Sequence, residues 1–92
     1  MEIQHDKEGH RFYILIDGSE VGELSYRQSE KTLDLYHTYV SPTIRERGLA
    51  QRLVEEGFHY AQANQLLVIP SCPYISEQFL KKHPEYLSLI AK

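Results

Sequence analysis

The chain has 92 residues, 41% hydrophobic and 25% charged, with 10 Lys and Arg against 13 Asp and Glu for a net charge of −3. That length suits a single domain over residues 1–92 with one core, and the composition excludes a disordered or membrane-embedded chain. The negative balance argues against nucleic acid as a partner, and one cysteine, Cys72, with no zinc-type spacing of Cys and His, argues against a disulfide or a metal site.

No apolar run reaches bilayer length, and Met1 to His10 lacks the apolar core of a signal peptide, so no membrane contact and a cytoplasmic location are expected. Met1 to His5 is a short edge strand, closed by a turn at Lys7, Glu8 and Gly9. Arg11 to Ile16 alternates with period two, Phe12, Ile14 and Ile16 on one side and Tyr13 and Leu15 on the other. Apolar residues on both sides predict a central strand covered on both faces. Asp17-Gly18 is a hairpin signal, and Val21 to Arg27 is the return strand.

A polar turn at Gln28 to Lys31 leads to a third long strand, Thr32 to Val40. Leu33, Leu35, His37 and Tyr39 are expected to share one face, and Thr32, Asp34, Tyr36, Thr38 and Val40 the other. Pro42 ends it. Leu49, Ala50, Leu53, Val54, Gly57, Phe58 and Ala61 then recur at helical spacing, with Gln51, Arg52, Glu55, Glu56, His59 and Gln62 opposite, which predicts a core-facing helix ending near Asn64.

Leu66 to Ile69 is an unbroken apolar run of the kind found in a buried strand. Strand, helix and strand in succession predict a right-handed crossover to a parallel neighbour. Pro70 to Pro73 break the chain. Ser76 is placed to cap a short helix through Lys82, and after His83-Pro84 a last turn packs Tyr86, Leu87 and Ile90. The fold class is α/β (α+β): an antiparallel meander, then a β-α-β crossover in a mixed sheet, with a short C-terminal helical segment. Phe12, Tyr13, Phe58 and Phe79 are assigned to the core, and His5, His10, His59 and His83 to the surface.

The chemistry gathers at the strand ends. Val40 to Ala50 is a strand end, a loop with Arg45, Glu46, Arg47 and Gly48, and a helix start, an arrangement that offers backbone N–H groups and a positive helix end to an anion. Ligands in open α/β sheets lie beyond the C-terminal strand ends, which brings His37, Cys72 and Tyr74 within reach of the same ligand. Cys72 is a candidate nucleophile if its thiol is activated, with His37 as the proton acceptor; the plainer alternative is a small buried apolar residue. For His37 the plainer role is a packed strand histidine, for Tyr74 an aromatic cleft wall, and for Arg45 and Arg47 solvated loop charge.

Arg45-Glu46-Arg47-Gly48-Leu49-Ala50 resembles the Arg/Gln-x-x-Gly-x-Gly/Ala signature of the GNAT superfamily of acetyl-CoA-dependent N-acetyltransferases. His37-Thr38-Tyr39-Val40, Ile69 to Tyr74 and His83 to Tyr86 extend the resemblance to its minimal branch, over nearly the whole chain. The resemblance implies that the amides of Arg45 to Ala50 cradle the CoA pyrophosphate and that Tyr39 and Val40 pair with the pantetheine arm between splayed parallel strands. It also implies a cysteine at the position of Cys72 and a tyrosine, here Tyr74, that protonates the departing thiolate. Glu46 departs from the pattern, since many relatives have Gly there, and its carboxylate beside a pyrophosphate is repulsive unless turned to solvent.

The function expected is transfer of an acetyl group from acetyl-CoA to a small amine or protein amine, directly or through an acetylated Cys72. The alternatives are a non-catalytic CoA-binding module, in which the cradle persists without the base, and an interaction domain that uses no cofactor.

Overall fold

The computed structural model describes residues 1–44 and 48–92. Five strands, β1 (Glu2–Asp6), β2 (Arg11–Ile16), β3 (Ser19–Gln28), β4 (Thr32–Val40) and β5 (Leu67–Ile69), lie side by side in chain order. The first four form an antiparallel meander; β5 is parallel to β4 and is reached through helix α1 (Leu49–Ala63). The mixed α+β architecture expected from the hydrophobic periodicity is therefore the one observed.

Local chemistry accounts for the joints. Asp17 and Gly18 both have positive φ, 50° and 79°, the backbone of a type I′ turn whose twist matches the strands it joins. At the far end of α1 the chain turns at Gln65, φ 57°, while the Leu66 N–H donates to the Ala61 carbonyl at 2.8 Å and closes the last turn.

The core lies between one face of the sheet and α1. The helix buries Leu49, Leu53, Val54, Gly57, Phe58 and Ala61 against Leu24, Leu33 and Leu35. Each large apolar side chain so buried contributes about 1.5–3 kcal/mol. Gly57 is the point of closest approach, since a Cβ there would stand 2.9 Å from Leu24 Cδ2 and 3.3 Å from both Leu35 methyls. The C-terminal segment docks on the same helix through Phe79, stacked on Phe58 at 5.6 Å, and Tyr86, 4.8 Å from the Phe58 ring. Its last residues then bridge to β5, Ile90 beside Val68, with the Ala91 N–H donating to the Val68 carbonyl at 2.8 Å.

Several sequence expectations are corrected. Phe12 and Ile14 of β2 are buried, but no described element packs over Tyr13 and Leu15, so the sheet is covered on one face rather than two. Tyr13 is not core: the Arg11 guanidinium lies 4.6 Å from its ring centroid. In β5 only Val68 is buried, while Leu67 and Ile69 are 44% and 36% exposed on the open face. A helix on one side alone cannot bury both sides of a strand.

His5 is half-buried instead of superficial, stacked on Phe12 at 4.1 Å, edge-on to Tyr60 at 4.7 Å and hydrogen-bonded to the Tyr26 hydroxyl. Ser76 caps nothing: the helical run begins at Pro73, passes through a π-helical turn (Ile75–Phe79) and ends in α2 (Leu80–Lys82). Ile75, Phe79 and Leu80 are all buried along it. A 3₁₀ helix (Pro84–Leu89) follows.

Candidate active site

β4 is the strand that organises the site. Its pairing with β3 slips between Ser25 and Tyr26, whose partners are His37 and Leu35, so Tyr36 is an extra residue in β4. A bulge of this kind reverses the side-chain alternation beyond it. Leu33 and Leu35 face α1 as expected, but His37 and Tyr39 do not join them. They point to the open face, beside Ser25 and Glu23, and Thr38 and Val40 take the covered face. Tyr36 itself lies under the Arg27 guanidinium, 4.3 Å from the ring centroid.

β5 pairs with β4 over three residues only, Leu67 to Ile69 against Thr32 to Asp34. Two bonds hold the chain at the point of parting: Ser71 Oγ donates to Asp34 Oδ1 at 2.6 Å, and the Cys72 N–H donates to the Leu35 carbonyl at 3.0 Å. Beyond them the chain turns away into the Pro73 helix, and among the described residues Tyr36 to Val40 keep a strand neighbour only on the β3 side. The parting defines a candidate cleft, with the Tyr36–Val40 stretch of β4 on one side and the Cys72–Tyr74 segment on the other.

At the end of that wall stands the start of α1. Gly48 has φ 79°, and a Cβ added there meets nothing within 4 Å. Among the described residues the helix start has no side-chain cap and no acidic residue in its first turn, so none of them compensates its leading N–H groups and positive dipole end. Leu49 is buried in the core, and only its backbone is available to a ligand. Ala50 continues the first turn, half-buried. Arg45, Glu46 and Arg47 lie outside the described residues.

The proposed reactive residues separate by face. Cys72 is 6% exposed and belongs to the core cluster on the α1 side; His37 is exposed on the opposite face of the sheet. Tyr74 is half-buried near Cys72. Burial raises its phenol pKa first, and Cys72 and Glu55 of α1 add to the shift. Cys72 and Tyr74 are thus brought together, and His37 is not. Tyr39, half exposed, flanks the cleft mouth on the open face, while Val40 packs against the core.

Sequence reasoning passed over one atom here. Thr38 Oγ1 is buried and has no hydrogen-bond partner among the described residues. No signal marked it, because the alternation of β4 looks unbroken until the bulge is seen. Two concavities, about 290 Å³ between β1 and the last turns of α1 and about 270 Å³ beside His10 and Arg27, are lined by neither Cys72, Tyr74 nor the α1 start. Among the described residues no group of three or more His, Cys, Asp or Glu is placed to hold a metal ion, and no helix is long and apolar enough to cross a membrane.

Residues 11–89 match the model of the GCN5-related N-acetyltransferase family, so the chain belongs to that family and is an acetyltransferase. It is 28% identical to Protein NATD1 of Xenopus tropicalis over 86 residues, 91% of this chain and 78% of that one, and 27% identical to the Bos taurus protein of the same name over the same share of this chain and 75% of that one.

Among solved structures it superposes on a GCN5-like N-acetyltransferase candidate from Staphylococcus aureus with a TM-score of 0.73 and 25% identity, over 98% of this chain and 87% of that one. An aminoglycoside N-acetyltransferase in complex with CoA shares the fold at 20% identity, with a TM-score of 0.55 over 89% of this chain and 66% of its own.

Proposed function

We propose that the protein acetylates an amine with acetyl-CoA as donor, by direct attack of the amine. The observation that carries this reading is the parting of β4 from β5 next to an α1 start that no described residue caps. An acyl donor that ends in phosphates needs both an extended backbone to pair with and N–H groups to hold the anion. The unpaired β4 stretch with Tyr39 and Val40 suits the first need, and Gly48, Leu49 and Ala50 suit the second. Arg45, Glu46 and Arg47 belong to the same phosphate loop by their place in the signature. Acetyl-CoA, when bound, supplies an acyl carbon already activated as a thioester.

The chain's own residues supply the rest. Tyr74, held protonated by its raised pKa, is the donor of a proton to the departing thiolate. His37, exposed on the open face, accepts the proton that the attacking amine sheds. Free β4 amides at the cleft serve the developing oxyanion. The opposite facing of Cys72 and His37 favours direct transfer over an acetyl-cysteine relay, because the thiol lacks that base; Cys72 then lines the cleft.

Three measurements test this. Acetyl-CoA should raise the melting temperature; at about 100 times Kd the stabilisation is about 2.7 kcal/mol. Radiolabelled acetyl should pass to an amine acceptor in wild type and in Cys72→Ala, and should fail in His37→Ala. Label trapped on Cys72, with turnover lost in Cys72→Ala, would establish the relay instead. A thermal shift with no transfer to any amine would favour the non-catalytic binding module, and the absence of both sinks the proposal.

A further inference from the structure

We infer that the concavity between β1 and the last turns of α1 is a second binding site, for a small organic ammonium ion. It measures about 290 Å³, close to the roughly 300 Å³ at which small-ligand pockets begin. Its walls include the rings of His5, Phe12 and Tyr60, which interlock: His5 lies flat on Phe12 at 4.1 Å, and Tyr60 stands edge-on to both, at 4.7 Å and 5.8 Å. Two of these rings are fastened by residues that do not line the space. The His5 ring is hydrogen-bonded to the Tyr26 hydroxyl, and the Tyr60 hydroxyl donates to Gln28 Oε1 at 2.8 Å. The aromatic surface is therefore in place before a ligand arrives, which spares the ordering cost of binding.

Charge selects the ligand. Glu56 lines the concavity and makes no ion pair among the described residues, and no Lys or Arg is part of the lining. Around His5 the acting charges are the carboxylates of Glu56 and Asp6 against the single ammonium of Lys7, and burial keeps the His5 ring itself uncharged at neutral pH. A free carboxylate beside aromatic rings favours a cation, and an alkylated ammonium above all, because the ring faces attract its charge while its methyl groups bury apolar surface. The site is separate from the acetyl-CoA cleft and does not depend on that reading. The strands β2 and β3 stand between β1 and β4, a separation of about 14 Å at the usual strand spacing.

Choline and its uncharged carbon analogue, dimethylbutanol, separate charge from shape when each is titrated into the isotope-labelled protein without acetyl-CoA. Choline should produce saturable amide NMR shifts centred on Gln4, His5, Glu56 and Tyr60, and the alcohol should produce none. Glu56 is exposed, so its replacement leaves the packing of α1 untouched. Glu56→Gln should weaken choline binding roughly fivefold, the loss of one attracting charge, and Glu56→Lys should abolish it. Four results would each overturn the inference: no saturable shift with choline, shifts centred elsewhere on the molecule, equal binding of the alcohol, or wild-type affinity in Glu56→Gln.

Discussion

Tyr74 sits at the first turn of the Pro73 helix, where its ring is drawn out of water and its hydroxyl feels both Cys72 and Glu55. All three influences resist ionisation, so the phenol stays a proton donor through the neutral range. Loss of that donor with the ring retained should be felt in chemistry and not in binding. Tyr74→Phe is expected to lower kcat by roughly 100-fold, the scale of a general acid, with KM for acetyl-CoA near the wild-type value. A matched rise in KM with kcat unchanged would mean that Tyr74 only shapes the cleft. Cys72, two residues earlier, shows how the same short segment can carry a different assignment: its motif suggests a nucleophile, whereas the direct transfer proposed above, which rests on its burial and the facing of His37, leaves it a place in the wall.

Two elements decide where the site can be. The first is the β4 bulge, one extra residue that changes which face every later side chain meets. The second is α1, whose closest contact with the sheet is made at Gly57. At an exposed helical position Gly→Ala is favourable by about 1 kcal/mol. Here the added methyl enters a filled core against Leu24 and Leu35, where overpacking costs about 1–3 kcal/mol. Gly57→Ala is therefore expected to lower the melting temperature, and because α1 also presents the Gly48 end to the cleft, to weaken acetyl-CoA binding with it. A rise in melting temperature would show that the two leucines rearrange freely.

At the scale of the whole molecule, stability below neutral pH should depend on how β1 is fastened. His5 is enclosed by Phe12 and Tyr26 of the sheet and Tyr60 of α1, with Glu56, Asp6 and Lys7 as the charged groups that act on it. Burial lowers its pKa and Lys7 adds to this, while Asp6 and Glu56 oppose it. The unfolded chain takes up a proton near the ordinary value of 6.5, which the folded chain resists. The contribution is then complete above that value and lost as the pH falls below it, until the folded ring is itself protonated. Thermal melts between about pH 7 and about pH 5 should show this decline, and His5→Gln should flatten it. An identical slope in the variant would move the acid sensitivity elsewhere.

Much of this architecture was legible without coordinates. The period-two runs, the Asp17-Gly18 turn and the helical spacing from Leu49 to Ala61 each depend on neighbours in the chain, so the amino-acid sequence by itself determined the meander, the crossover and the family signature at Arg45 to Ala50. What only the tertiary structure decided depends on contacts between distant segments. The slip of β4 against β3 placed His37 on one face and Thr38 on the other, the short reach of β5 opened the cleft, and the packing of α1 on one side alone left Tyr13, Leu67 and Ile69 at the surface. A bulge changes no residue and leaves the hydrophobic pattern of its own strand intact; it exists only as a relation to the neighbouring strand, which is why the assignment of faces at the site had to come from the fold.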